Sequence, residues 1–405
     1  MITQMLKEGS SRMFLDLGKT PPANKFLEKE GLKHQEEFFP LRVCFNEKLK
    51  LVHLDHIVPK EKLFSHYVYV TSTSKTFRDH FTKMADTLGQ RFRLKKDSLA
   101  VDIGSNDGIL LQGLKKYCNI VGIEPASNIA ALANSNGIET INDFLTNATV
   151  ETIIKEKGHA DVVCATNVFA HTENITEFVE LVKKLLKPDG AFVIEIQYFL
   201  DTIETMTFDN IYHEHLYYYT VTSLQNFFNT VGMTIFDIEH VDTHGGSLRV
   251  YVQKSENNNP QRMAVSDYLM AEKRKKLDSF ETYAAFANKV FEKKLRLIAA
   301  IKELREDSKR IAAYGAPAKS TTLLNFCNLT KEDIEYIVDD NALKVGKFAP
   351  GTHIPVVNSF HLGAHIPDYL LLLAWNFKDE ILKKVERYHE KGMKVIVPLP
   401  KFEII

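Results

Sequence analysis

Cysteine is scarce in this chain of 405 residues: Cys44, Cys118, Cys164 and Cys327 stand alone, without paired spacing. That fits reduced thiols in a cytosol rather than a disulfide framework. An excess of one charge is also missing. Lys plus Arg is 51 and Asp plus Glu is 52, a formal net charge of −1, whereas a nucleic-acid partner favours a strong basic surplus. No stretch approaches the roughly 18 uninterrupted apolar residues of a membrane span; "DYLLLLAWNF" at 368–377 is too short. The start, "MITQMLKEGSSRMF", lacks the apolar segment of a signal peptide. No internal repeat or low-complexity segment stands out. These absences predict a cytoplasmic protein with small-molecule pockets and no nucleic-acid or membrane partner, for which a monomer suffices.

What is present is an ordinary globular composition, 44% hydrophobic and 25% charged, with length for two or three domains. Residues 1–75 carry loop chemistry such as "KTPPAN" and little periodicity. From 76 to 255, strand-like runs alternate with amphipathic helices: "SLAVDIG" (98–104), "NIVGIE" (119–124), "ETIND" (139–143), "DVVCATN" (161–167) and "AFVIEIQ" (191–197). That alternation predicts an α/β fold with a doubly wound parallel sheet. "MTIFDIEHV" and "SLRVYVQK" follow at hairpin spacing, so the sheet is expected to finish with an antiparallel edge strand. Residues 256–308 hold a polar linker and a helix with Phe286, Val290, Leu297, Ile301 and Leu304 on one face. A second, smaller Rossmann-like α/β series occupies 309–405.

"VDIGSNDG" (101–108) runs from strand through a glycine turn to a helix start, where free backbone N–H groups and bare glycines accept a ligand. The order is G-x-x-x-G rather than the G-x-G-x-x-G of dinucleotide sites. Acidic groups crowd it: Asp102, Asp107 and Glu124, the last 22 residues after Asp102 at the end of the next strand. A cationic sulfonium benefits from such carboxylates, and a carboxylate at Glu124 can accept both hydroxyls of a ribose. The pattern predicts S-adenosylmethionine (SAM) as cofactor, with Asp102, Gly104, Asn106, Gly108, Glu124, Asp143 and Asn167 as its binding residues.

"TFDNIYHEHLYYY" (207–219) interleaves aromatic rings with weak acids and bases. Together with "VDIGSNDG", "NVFAHTEN" (167–174), "HGGSLR" (244–249), "YGAPAKSTTLLN" (314–325) and "PGTHIPV" (350–356), it resembles the SAM-dependent sugar C-methyltransferases. The resemblance covers nearly the whole chain. It implies a class I SAM-methyltransferase domain, a small N-terminal module and methylation at carbon 3 of a TDP- or GDP-linked 4-keto-6-deoxyhexose. It also implies His215 as the base, with Tyr212, Glu214 and His171 handling the enolate and hydroxyls. Methylating carbon needs an enolate beside a ketone, and histidine titrates near operating pH. The resemblance further implies that Tyr67 or Tyr69 lines the sugar pocket, and His244, Gly245, Gly246, Ser247, Arg249 and Lys319 are expected to contact the substrate. A metal reading of "HEH" lacks a third anchored ligand.

The chain departs from the family at its start. Two CxxC pairs that hold a structural zinc are expected there, but only Cys44 remains, with Glu47 where its partner cysteine would fall. His53 and His56 can be recruited, yet a closed zinc site takes about four ligands, so the module is expected to fold without metal. Two rival readings remain from the residues: a nicotinamide-dependent sugar oxidoreductase, and a noncatalytic SAM or sugar-nucleotide sensor.

Overall fold

The computed structural model describes residues 11–59, 62–63, 72, 75–243, 245–257 and 259–405. Tyr67, Tyr69 and His244 lie outside the described residues. The N-terminal strands β1 (Ser11–Thr20), β2 (Phe39–Asn46) and β3 (Leu51–Leu54) pair antiparallel. Helix α1 (Lys75–Arg91) leads into β4 (Leu99–Ile103), β5 (Asn119–Ile123), β6 (Thr140–Ile141), β7 (Ala160–Thr166) and β8 (Leu186–Gln197). Then come β9 (Tyr217–Tyr218), β10 (Met233–Val241) and β11 (Ser247–Lys254). Helix α2 (Phe280–Glu306) precedes β12 (Ile311–Tyr314), α3 (Ala318–Phe326), β13 (Ile337–Val338), β14 (Val356–Val357), β15 (Tyr369–Leu372), β16 (Lys394–Val397) and β17 (Glu403–Ile404).

The central sheet runs β10-β11-β8-β7-β4-β5-β6. Strands β4 to β8 are mutually parallel, as their continuous apolar composition predicts for a sheet covered on both faces. One detail differs from the sequence expectation. The antiparallel strand is not at the edge: β11 inserts between β8 and β10, pairing antiparallel with both. Seven of its eight residues are buried, so it needs neighbours on each side, and β10 takes the rim instead. The C-terminal sheet, β14-β13-β12-β15-β16-β17, is parallel except for β17.

The N-terminal residues form more regular structure than their patterning suggests. β2 and β3 are buried along most of their length, so the polar alternation that marks a half-exposed strand is missing. Helix α2 covers this sheet, burying Tyr283, Phe286, Val290, Leu297 and Ile301 at helical spacing in one core with Leu15, Leu41, Val43 and Phe45, with Leu323 of α3, and with Ile337 and Leu371 of the C-terminal sheet. β9 completes the N-terminal sheet, pairing Tyr217 with His53 and Tyr218 with Val52. The loop carrying "YHEH" is therefore stitched by backbone to the N-terminal module.

The donors present in that module do not fit a structural zinc. His53 Nδ1 donates to the Leu54 carbonyl (2.8 Å), so Nε2 holds the ring's lone pair, and the Ser11 hydroxyl caps it at 2.9 Å. Asn46 donates to the same hydroxyl at 3.1 Å. Burial pushes the Cys44 thiol up to about 11, away from the thiolate a metal takes. Glu47 faces Arg12 and Lys50 instead. Among the described residues no group of three or more His, Cys, Asp or Glu side chains gathers at a metal-binding distance. Prolonged EDTA treatment is expected to leave the thermal melt unchanged, with substoichiometric zinc by elemental analysis. A melt lowered by EDTA and restored by zinc would overturn this.

Candidate active site

The C-terminal ends of β4, β5 and β7, the 207–219 loop and the C-terminal end of β12 face one cavity of about 1970 Å³. Single-ligand pockets run to about 300–1,000 Å³, so this volume has room for two ligands. Among the described residues no helix is long and apolar enough to cross a membrane.

The cofactor-side residues Asp102, Gly104, Asn106, Glu124, Asp143 and Asn167 all line the cavity. Gly104 has φ +65°, and a Cβ there would lie 2.4 Å from Val168 Cγ2, so the turn admits only glycine. Glu124 braces it, accepting from Asn106 N (3.0 Å) and Ala126 N (2.8 Å). Asp102 is buried with Oδ1 lacking a hydrogen-bond partner, and burial, with Glu124 nearby, raises its carboxyl well above the usual range. Burial also raises Glu124. Two buried carboxyls, one with an unpartnered oxygen, fit a cationic cofactor. Gly108 is not part of the lining; it starts the following short helix, and a Cβ there would strike Ile138 at 2.7 Å.

The four catalytic candidates, His171, Tyr212, Glu214 and His215, converge on the same cavity. His215 Nδ1 lies 2.9 Å from the Asn210 carbonyl. A carbonyl only accepts, so Nδ1 carries the proton and Nε2 keeps a basic lone pair, on which Tyr212 Oη sits at 2.9 Å. The His171 ring stands edge-on to His215 with centroids 4.9 Å apart, and burial depresses His171 to about 4, so it stays neutral. Burial pushes Glu214 up to about 7 despite the Asn24 hydrogen bond and the Lys344 charge. His213 donates to Pro40 O at 3.2 Å, a bond that anchors the loop.

The substrate-side residues divide. Lys319, at the start of α3, lines the cavity, donates to Asn376 Oδ1 at 2.6 Å and lies 3.5 Å from the Trp375 ring centroid. Burial lowers it to about 8, opposed by Asp209. Gly245, Gly246, Ser247 and Arg249 do not line the cavity. Cβ atoms on Gly245 and Gly246 would strike Trp375 (2.8 Å) and Asp201 (2.1 Å), so these glycines serve packing. Ser247 donates to Thr243 O at 3.0 Å. Arg249 is the clearest correction: expected to contact the substrate, it is turned away from the cavity and held by Glu195. It is buried, with Nε and Nη2 donating to Glu195 Oε2 at 3.2 and 3.0 Å, while His80 holds Oε1 at 2.7 Å. β11 faces β8 with Arg249 opposite Glu195, so the internal placement of β11 creates this pair.

Sequence reasoning missed Asn24, Lys344, Asn210 and Asp209. Asn24 Nδ2 donates to Glu214 Oε1 at 2.7 Å, and Trp375 Nε1 donates to Asp209 Oδ2 at 2.7 Å. "PPAN" was the one available signal for Asn24, Asp209 and Asn210 lie within the quoted 207–219 stretch, and Lys344 carries none.

Three family models match the chain: a putative zinc binding domain over residues 7–64, a methyltransferase domain over 77–238, and a C-methyltransferase C-terminal domain over 242–400. The C-methyltransferase NovU of Streptomyces niveus is 34% identical over 392 residues, 96% of this chain and 93% of that protein. The mitochondrial ubiquinone biosynthesis O-methyltransferase of Dictyostelium discoideum is 25% identical over 107 residues, 23% of this chain and 33% of its own. Magnesium protoporphyrin IX methyltransferase of Synechocystis, solved with bound SAM, is 12% identical, covers 44% of this chain and 79% of its own, and has a TM-score of 0.33.

Removing one partner of a buried ion pair strands the other charge. Arg249→Met is therefore expected to cost about 3–5 kcal/mol of stability by urea denaturation. An unchanged unfolding midpoint with a weakened substrate KM would return Arg249 to the substrate site.

Proposed function

The chain belongs to the C-methyltransferases, and on that footing we propose that it methylates carbon 3 of a TDP- or GDP-linked 4-keto-6-deoxyhexose. The observation that carries this reading is the His215 tautomer. A proton-bearing Nδ1 tied to Asn210 O leaves Nε2 as a base beside Tyr212 and neutral His171, the set an enolate-forming reaction requires. SAM is held by Asp102, Gly104, Asn106, Glu124, Asp143 and Asn167, and when bound it supplies an electrophilic methyl group on a sulfonium that departs as a neutral thioether.

The carbon-bound proton passes to His215 Nε2 and its electron pair is delocalised onto the 4-keto oxygen. Tyr212, released from Nε2, donates a hydrogen bond to that oxyanion, while neutral His171, its one N–H held by backbone carbonyls, lines the pocket beside it. Glu214 takes the neighbouring sugar hydroxyl and sets the ring so that carbon 3 faces the methyl group. Lys319 offers a buried cation at the N-terminus of α3, where β12 and β15 part and α/β crevices take phosphates. The nucleotide diphosphate is assigned there. An oxidoreductase reading is disfavoured by the G-x-x-x-G turn, and a binding-only reading has no use for a base.

The test is mass spectrometry after incubation with SAM and TDP-, GDP- and CDP-4-keto-6-deoxysugars in deuterated water. A product heavier by one methyl at carbon 3 is expected, and His215→Ala abolishes both this product and exchange of the carbon-3 hydrogen. SAM binding without exchange or methylation across the panel would favour a sensor. The raised Asp102 carboxyl gives a second expectation. A cationic cofactor favours the ionised form of this carboxyl and lowers its titration, so SAM affinity rises with pH through that titration and binding there releases protons. Calorimetry in buffers of different ionisation enthalpy measures this; proton uptake would contradict it.

A further inference from the structure

The "PPAN" turn belongs to the N-terminal module by sequence, yet it sits between the candidate catalytic loop and the C-terminal domain. Its Ala23 carbonyl accepts from Thr321 Oγ1 at 2.9 Å, while the neighbouring Thr322 Oγ1 donates to Ile211 O at 2.6 Å. One helix, α3, thus grips both the turn and the loop. Just after the turn, Leu27 and Phe348 exchange backbone hydrogen bonds of 3.0 and 2.8 Å. So held, Asn24 lines the cavity and donates Nδ2 to Glu214 Oε1 at 2.7 Å. An amide donor aimed at a buried carboxylate fixes its rotation, as outer hydrogen bonds orient groups that meet a ligand.

We propose that Asn24 is a positioning residue of the methyl transfer, holding the Glu214 carboxylate in the orientation in which it meets the sugar. This rests on the reading that Glu214 contacts substrate. It assigns the N-terminal module a part in the chemistry. The charged groups facing Glu214 are Lys344, which also faces Asp339 and donates to Ala316 O at 2.8 Å; His171 hydrogen-bonds the Glu214 backbone, and His213 and His215 flank it in sequence. The Asn24 N–H bonds the ionised form, so its loss moves the Glu214 titration upward from about 7.

The test is a double-mutant cycle of Asn24→Ala, Glu214→Gln and the pair, with SAM calorimetry as the control for folding. Asn24→Ala is expected to slow carbon-3 exchange and methylation about 10- to 100-fold near neutral pH, the scale of one hydrogen bond to a charged group. Part of the loss should return in alkaline buffer. The paired variant should be no slower than Glu214→Gln alone, because Asn24 acts through that carboxylate. Losses that multiply would overturn the proposal while leaving the role of Glu214 intact. Full activity in Glu214→Gln would sink the role of Glu214 and the proposal with it. A substrate-free readout comes from carbon-13 NMR of carboxyl-labelled glutamate, with the Glu214 resonance assigned by its absence in Glu214→Gln. Its midpoint should rise in Asn24→Ala, and an unmoved midpoint overturns the proposal. Asn24→Asp, equal in shape, carries the same test should the alanine variant fail to fold; it sets a second carboxyl against the first and raises the midpoint further.

Discussion

A buried loop with almost no regular structure of its own must find partners outside itself for its backbone and side-chain polar groups. The rest of this molecule is arranged around that constraint, applied to residues 207–219. Leu54 N donates to Leu216 O and Leu216 N to Ala170 O, at 2.9 and 2.8 Å. Tyr217 and Tyr218 pair with β3, and Phe199 N donates to Tyr219 O at 3.0 Å. From the C-terminal side, Thr322 holds Ile211 and Trp375 holds Asp209. Each of the three sheets thus neighbours a group that satisfies the loop, and none of the three regions alone could keep His215 where it is.

The same constraint shapes the electrostatics. Desolvation holds His171 neutral, lifts Glu214 toward neutrality and lowers Lys319, because a charge removed from water is costly unless paired. A neutral imidazole beside a basic one does not compete for the carbon-bound proton. Deeper in the central sheet, Glu195 is held by Arg249 and His80 and stays ionised despite full burial. That cluster ties β8, β11 and α1 together behind the cavity and takes no part in lining it.

The N-terminal module shows how a hydrogen-bond cluster can stand where a metal is expected. The Ser11 hydroxyl caps the one lone pair of His53 and accepts from Asn46, and helix α2 seals the sheet through Tyr283 and Phe286. Packing against two other sheets supplies the burial that a free-standing module of this size would lack.

Much was legible from residues alone. The α/β class, the glycine turn at Gly104, the acidic strand ends at Asp102 and Glu124 and the cluster from Tyr212 to His215 are local patterns, carried by residue type and spacing within one segment. Tertiary structure alone decided the rest, because it depends on segments far apart in the chain. Arg249 looked available from "HGGSLR", and only the insertion of β11 beside β8 put it against Glu195. Asn24 looked like part of a loop, and only the docking of the module brought it 190 positions along the chain to Glu214. A hydrogen bond between such distant residues leaves no periodicity or spacing to read; the chain must fold before the two side chains meet.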